Sequence, residues 1–374
     1  MVVRDIKHPK ESEDTMATSA GKKIALFACA ALAALALGAC SAQSASSSAA
    51  PASSGSASAG ASATTTESSQ ATSATSTVAT SSTAANATFG VASNTLAQDE
   101  DALVSKYAGK FTQETYTDKD TRLSVTYNLF LPQGYDASKS YPMVVFIADS
   151  SRAKGDAVQS LTQGLGALVW ASDEWQAANP TIVCVPTYSE TILDDHSGYT
   201  TTEYVELTKR LIESVSSEYA VDASRIYGTG QSMGCMTTLI LASEYPDLYA
   251  GCMFVDGQWD VSTLSGLEGQ KFVYFAAEDD NPAFTGMSEV MAMFDADSVP
   301  YAYAQWDGTW TPDELSAAAE ALFANGEDAN FVSWAAGTID TGGAGGGMGG
   351  AGAHMASFDY AYNCIAAMEW LFQQ

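Results

Sequence analysis

A serine stands between two glycines in Gly230-Gln231-Ser232-Met233-Gly234, where a strand-like run, RIYGTG, gives way to a helix-like one, MGCMTTLILASEY. In that setting G-x-S-x-G is the pattern of a nucleophile elbow, a strained strand-to-helix turn that thrusts the hydroxyl into a cleft. The same pattern would suit a tight turn that needs small residues, so it gains meaning only beside a base, an acid and an oxyanion site. A serine hydroxyl is a weak nucleophile at neutral pH and is most often activated by imidazole. The chain has three histidines, His8, His196 and His354. In the chain order that accompanies such an elbow, serine, then acid, then histidine, His196 is excluded because it precedes Ser232. His354, in a predicted loop between the last strand and the last helix, is left as the general base.

The acid should leave a strand between Ser232 and His354. FVYFAAEDDNP ends in Glu278, Asp279 and Asp280, and MFVDGQW ends the preceding strand with Asp256. A carboxylate that accepts the imidazole N–H and holds one tautomer is the functional reading; capping a helix or facing water is the alternative for each. Asp280 is preferred, with Asp256 and Asp279 kept as candidates and Asp256 otherwise expected to line the pocket above Ser232. The Met233 N–H directly follows the nucleophile and should donate to an oxyanion. Trp259, Trp306 and Trp310 fall at or near predicted loop mouths; Trp259 and Trp310 are expected to line the substrate pocket, and Trp306 suits the core. The stretch TGGAGGGMGGAGA before His354 lacks the strand-to-helix setting of a phosphate loop and reads as a connector. No Cys or His spacing suits a metal, and the chemistry calls for no cofactor.

These residues need a rigid frame, and the pattern beyond Ala97 supplies one. RLSVTYNLFLP, YPMVVFIADSS and TIVCVPTY read as strands, the last two apolar enough to be covered on both faces. TTEYVELTKRLIESVSSEY follows as an amphipathic helix with Tyr204, Leu207, Leu211, Ile212 and Val215 on one side. The alternation continues through LYAGCMFVDG, KFVYFAAEDD, GMSEVMAMFDAD, YAYAQWDG, PDELSAAAEALFANG, NFVSWAAGTID and a final helix, FDYAYNCIAAMEWLFQQ. It predicts an α/β fold, a mostly parallel sheet with helices on both faces.

The first quarter of the chain is different. Residues 1–39 read as a signal peptide whose natural start is Met16, because Lys22 and Lys23 precede the short apolar run IALFACAALAALALGAC. Its end, Leu37-Gly38-Ala39-Cys40, is similar to a bacterial lipobox, which would make Cys40 a lipidated first residue of the mature chain. Acyl chains contribute about 0.8 kcal/mol per buried methylene, and two or more suffice for stable anchoring. Residues 40–97, almost all Ser, Ala, Thr and Gly after the cysteine, bury too little to offset ordering entropy and predict a disordered tether. Residues 98–374 then form one domain, held outside the membrane by the lipid anchor. A net charge of −28 repels phosphate backbones, which argues against nucleic acid as a partner. Cys184, Cys235, Cys252 and Cys364 lie in apolar runs that suit either disulfides or buried thiols.

YNLFLPQGYDASKSYPMVVFIADSS, the block VDASRIYGTGQSMGCMTTLILASEYPDLYAG and the tail HMASFDYAYNCIAAMEWLFQQ together resemble secreted bacterial α/β-hydrolases of the esterase and polyhydroxybutyrate-depolymerase-like group, related to prolyl-oligopeptidase-type peptidases. The resemblance covers most of residues 110–374. It implies the α/β-hydrolase fold, Ser232 as nucleophile, His354 as base, an acid in the EDD cluster with Asp280 at the matching position, and a small-molecule ester or peptide as substrate. Many relatives carry His-Gly after the strand that supplies the second oxyanion donor. This chain has Ala148-Asp149-Ser150 there, which leaves the backbone of Ser150 as the expected donor.

Overall fold

The apolar runs become the middle of a sheet. Residues 99–341 and 351–374 are described by the structure, a computed structural model. The expected signal peptide, Cys40, the tether and residues 342–350 of the glycine-rich stretch lie outside the described residues. From the N-terminus come α1 (Glu100–Tyr107), β1 (Thr112–Thr117), β2 (Ser124–Phe130), β3 (Tyr141–Ile147), α2 (Asp173–Ala178) and β4 (Ile182–Thr187). Then follow β5 (Leu193–Asp194), β6 (Thr200–Thr201), α3 (Glu203–Glu218), β7 (Val221–Gln231), α4 (Met233–Glu244) and β8 (Gly251–Val255). The chain continues with β9 (Phe272–Ala277), α5 (Asn281–Asp297), β10 (Ala302–Trp306), α6 (Pro312–Phe323), β11 (Ala329–Trp334), α7 (Ala351–Tyr362) and α8 (Ile365–Leu371).

Nine strands form one sheet in the order β1-β2-β4-β3-β7-β8-β9-β11-β10. The β1–β2 and β2–β4 pairs are antiparallel and the remaining pairs are parallel. The chain moves outward from β3 to β4 and then back across β3 to β7, so the strand order reverses between β3 and β7. In open parallel sheets ligands bind beyond the carboxyl ends of the strands at such a reversal. Register places Gly230 opposite Ile147 on one side and Phe254 on the other, so Ser232 leaves the sheet at that point.

Alternation divides the core between the two faces. On β3, Val144 and Phe146 belong to the layer covered by α1, α2, α6, α7 and α8, while Met143, Val145 and Ile147 belong to the layer covered by α3, α4 and α5. This is the α/β-hydrolase fold, with helices on both faces of a mostly parallel sheet. α3 buries the expected stripe, Tyr204, Leu207, Leu211, Ile212 and Val215. The four cysteines of this domain are buried free thiols, and desolvation pushes Cys184 and Cys364 up to about 12. Such thiols are unreactive at neutral pH.

The tail departs from the single helix expected over residues 358–374. α7 already begins at Ala351 and ends at Tyr362, and α8 starts anew at Ile365. His354 therefore sits within a helix and not in a loop ahead of one. The short strands and helices β1, β5, β6, α1 and α2 carry little periodicity and stand apart from the elements read in the sequence.

Candidate active site

Ser232 occupies a backbone conformation that few side-chain-bearing residues adopt, φ 54° and ψ −118°. Positions of this kind cost about 1–3 kcal/mol and persist only where neighbours over-determine them. Here the Ser232 N–H donates to the Val255 carbonyl at 3.1 Å, and the Met236 N–H donates to the Ser232 carbonyl at 2.9 Å. The flanking glycines allow the close approach: a Cβ on Gly230 would lie 2.5 Å from the Gly234 carbonyl carbon, and one on Gly234 would run into the Ile147 carbonyl oxygen. α4 thus starts directly behind the serine, aiming the positive end of its dipole and unpaired first N–H groups at the hydroxyl.

His354, in the first turns of α7, faces this point. Its Nε2 is 2.9 Å from Ser232 Oγ and its Nδ1 is 2.5 Å from Asp280 Oδ2. The Asp280 side chain is 6% exposed and that of His354 24%, while Ser232 is half-buried. Phe358, one turn on, meets the imidazole edge to face with ring centroids 4.9 Å apart. Burial pushes the imidazole down, but the hydrogen bond and charge of Asp280, with the charges of Asp256 and Asp149, outweigh it and leave His354 above the ordinary histidine range.

The competing carboxylates are engaged elsewhere. Glu278 accepts from Ser333 Oγ at 3.0 Å, the Ala336 N–H at 3.1 Å and Gln305 Nε2, and Asp279 accepts from the Gly337 N–H at 2.5 Å. Both therefore fasten the turn after β11. Asp256 does not line a pocket above Ser232. It is fully buried, with its Oδ1 on the Ala277 N–H at 2.8 Å and its Oδ2 on Ser357 Oγ at 2.6 Å. The sequence pattern placed it at a strand end but carried no sign that α7 would cover it.

On the other side of Ser232, residues 148–151 turn sharply after β3. The Asp149 N–H is committed to Gln163 Oε1 at 3.0 Å, and the Ser151 N–H to Asp149 Oδ1 at 2.7 Å. Ser150 is exposed, and its N–H has no acceptor among the described residues. Gln163 also donates to Ser151 Oγ at 3.2 Å, so one buried amide braces this turn. Gln163 lies in an irregular stretch without periodicity, and nothing in the sequence singles it out. Ser357 lies three residues after His354, one turn along α7, a relation that the loop expected around His354 concealed.

The tryptophans do not form a common wall at the serine. Trp259 is buried in the core layer under α4 and α5 and packs edge to face with the exposed Tyr199, centroids 5.2 Å apart. Trp310 follows β10, the sheet edge four strands from β7, about 19 Å at ordinary strand spacing. It packs half-buried against the opposite core layer. Trp306 is buried with Phe275 and Trp334, as its sequence context predicts.

Among known protein families, Esterase matches residues 119–341. Poly(3-hydroxyalkanoate) depolymerase C of Paucimonas lemoignei is 35% identical over 49 residues, covering 13% of this chain and 12% of that protein. Feruloyl esterase B of Talaromyces funiculosus is 36% identical over 67 residues, 18% of each chain. Acetylxylan esterase A of Emericella nidulans is 33% identical over 70 residues, 15% of this chain and 23% of that protein. The chain spans less than a quarter of the length of these curated relatives. Among solved structures, a thermostable esterase superposes with a TM-score of 0.55 at 23% identity, over 71% of this chain and 64% of the other, a likeness of fold.

Proposed function

The chain belongs to the Esterase family, and from that premise we propose that it hydrolyses carboxylic esters through an acyl-enzyme on Ser232. The observation that carries the reading is the continuous hydrogen-bonded chain Ser232–His354–Asp280, at 2.9 and 2.5 Å. In this mechanism His354 Nε2 takes the Ser232 proton as Oγ bonds to the ester carbonyl carbon. Asp280 accepts the Nδ1–H, fixing the tautomer and balancing the imidazolium. The Met233 and Ser150 N–H groups donate to the tetrahedral oxyanion. His354 returns its proton to the departing alcohol, and water, deprotonated by the same imidazole, then releases the acid. Small-molecule esters are the proposed substrates. The relatives' names span feruloyl and acetyl groups, so the acyl specificity is the quantity to measure.

The same reading places the domain on the outer face of the cell membrane, tethered through a lipidated Cys40, on the strength of the Leu37-Gly38-Ala39-Cys40 pattern and the low-complexity stretch after it. Purified full-length protein should be assayed on p-nitrophenyl acetate, methyl ferulate, acetylated xylan and a hydroxybutyrate oligomer, beside peptide p-nitroanilides. Turnover of at least one ester, abolished in Ser232→Ala, is expected. Cleavage of peptides alone would overturn the ester assignment.

A further inference from the structure

Asp256 directly follows β8 with a backbone φ of 43°, fully buried beside His354 and Asp280. Its Oδ1 is tied to β9 through the Ala277 N–H at 2.8 Å, and its Oδ2 lies 2.6 Å from Ser357 Oγ on α7. The same serine oxygen is 3.0 Å from the carbonyl oxygen of His354, one turn earlier. We propose that Asp256 is a positioning residue for ester hydrolysis, acting through Ser357 to fix the turn of α7 that carries His354. This inference rests on the functional reading above.

Other anchors of α7 sit further along. Asp359 Oδ1 accepts the Leu165 N–H at 2.8 Å, and the Tyr362 hydroxyl pairs with Thr229 Oγ1 at 2.9 Å. Ser357 is the link nearest the imidazole. It has one hydroxyl proton and two acceptors. With Asp256 ionised, the proton goes to the carboxylate and the His354 carbonyl gives up the Ser357 hydroxyl as a donor. With Asp256 neutral, the carboxyl donates to Ser357 Oγ, Ser357 donates to the His354 carbonyl, and every link is made. Desolvation and the Asp280 charge favour the neutral form, pushing Asp256 up to about 7 against the Ser357 and Ala277 hydrogen bonds and the nearby His354. The titratable groups facing it are Asp280 on the turn after β9, His354 and Tyr362 on α7, Cys235 on α4 and Tyr274 on β9.

Its contacts, one backbone N–H and one hydroxyl but not the imidazole, set this carboxyl apart from Asp280 and make the test specific. Asparagine tolerates positive φ, its Oδ1 can accept from Ala277, and its Nδ2 can donate to Ser357 in place of the carboxyl proton. In the full-length protein, Ser357→Ala should lower kcat about tenfold with KM nearly unchanged, the mark of a misplaced base. Asp256→Ala should do the same, while Asp256→Asn should keep kcat within about threefold of wild type. Proton NMR of the low-field Nδ1–H of His354 supplies a readout independent of turnover: shifted or broadened in Ser357→Ala, retained in Asp256→Asn. Wild-type kcat with an unchanged resonance in Ser357→Ala would overturn the proposal, as would an Asp256→Asn as inactive as Asp280→Asn. If Asp256→Ala fails to fold, Ser357→Ala still decides. A wild-type protein inactive on all esters would sink the functional reading instead, and the resonance alone would then support or overturn the positioning role.

Discussion

Asp280 accepts the Nδ1–H of His354, whereas Asp256, buried beside it, meets one backbone N–H and one serine hydroxyl. Only the first touches the imidazole, while burial and the charge of Asp280 push the second up to about 7, so the two carboxyls should answer differently to the same substitution. Asp280→Asn should lower turnover by roughly ten-thousandfold, because the imidazole loses its tautomer and its counter-charge. Asp279→Asn and Glu278→Gln act only through the turn after β11 and should cost far less; equal losses in parallel assays would contradict the assignment of Asp280. His354 works as a base only when neutral, and its neighbours hold it above the ordinary histidine range. kcat/KM should therefore fall as pH drops through a midpoint above about 6.5, and a midpoint below that value would contradict the environment described. For Asp256 the consequence concerns stability. The folded protein keeps its proton up to about pH 7, while an unfolded aspartate releases it near pH 4, so folding binds a proton across that window. Stability contributed by this group thus falls as pH rises from about 4 to about 7. Asp256→Asn removes that term, and its Tm should gain on wild type as pH rises from 5 to 8; parallel Tm curves would show that Asp256 is ionised throughout.

At the scale of elements, the site depends on β7, α4 and the end of β3 meeting without side chains between them. Gly234→Ala would drive a methyl group into the Ile147 carbonyl, so either α4 retreats or β3 bends, and both move the Met233 N–H. The soluble yield or Tm of Gly234→Ala should drop sharply, and a normal, active Gly234→Ala would show that the approach is less close than described. The elbow was legible in sequence because its glycines, its serine and the change from strand to helix are all local. The apolar runs of β3, β4, β7, β8 and β9 were legible because parallel strands covered on both faces need continuous hydrophobic side chains. α7 was not. Its first residues, AGAHMAS, carry no amphipathic stripe, and they follow a glycine-rich run that masks the helix start. That misplacement hid the turn relating His354 to Ser357, and with it the burial of Asp256. Residues 149–172, where Gln163 braces the expected oxyanion turn, form short 3-10 turns that have no sequence period to detect.

For the molecule as a whole, an acidic hydrolase domain follows a low-complexity stretch and a candidate lipid site, and the charge of −28 disfavours anionic surfaces and polyanionic substrates. Membrane association would then rest on a lipid at Cys40. Cys40→Ala should move the protein from the membrane fraction to the soluble fraction with its ester turnover intact, and retention with membranes would contradict a lipid anchor at that residue. The central claim is that Ser232 is a nucleophile activated by His354. Its most direct test is covalent: treat the full-length protein with a fluorophosphonate, digest it and map the adduct by mass spectrometry. The account predicts one adduct, on Ser232, lost in Ser232→Ala and greatly slowed in His354→Ala. An unlabelled but folded wild-type protein, or labelling that persists at full rate without His354, would contradict it.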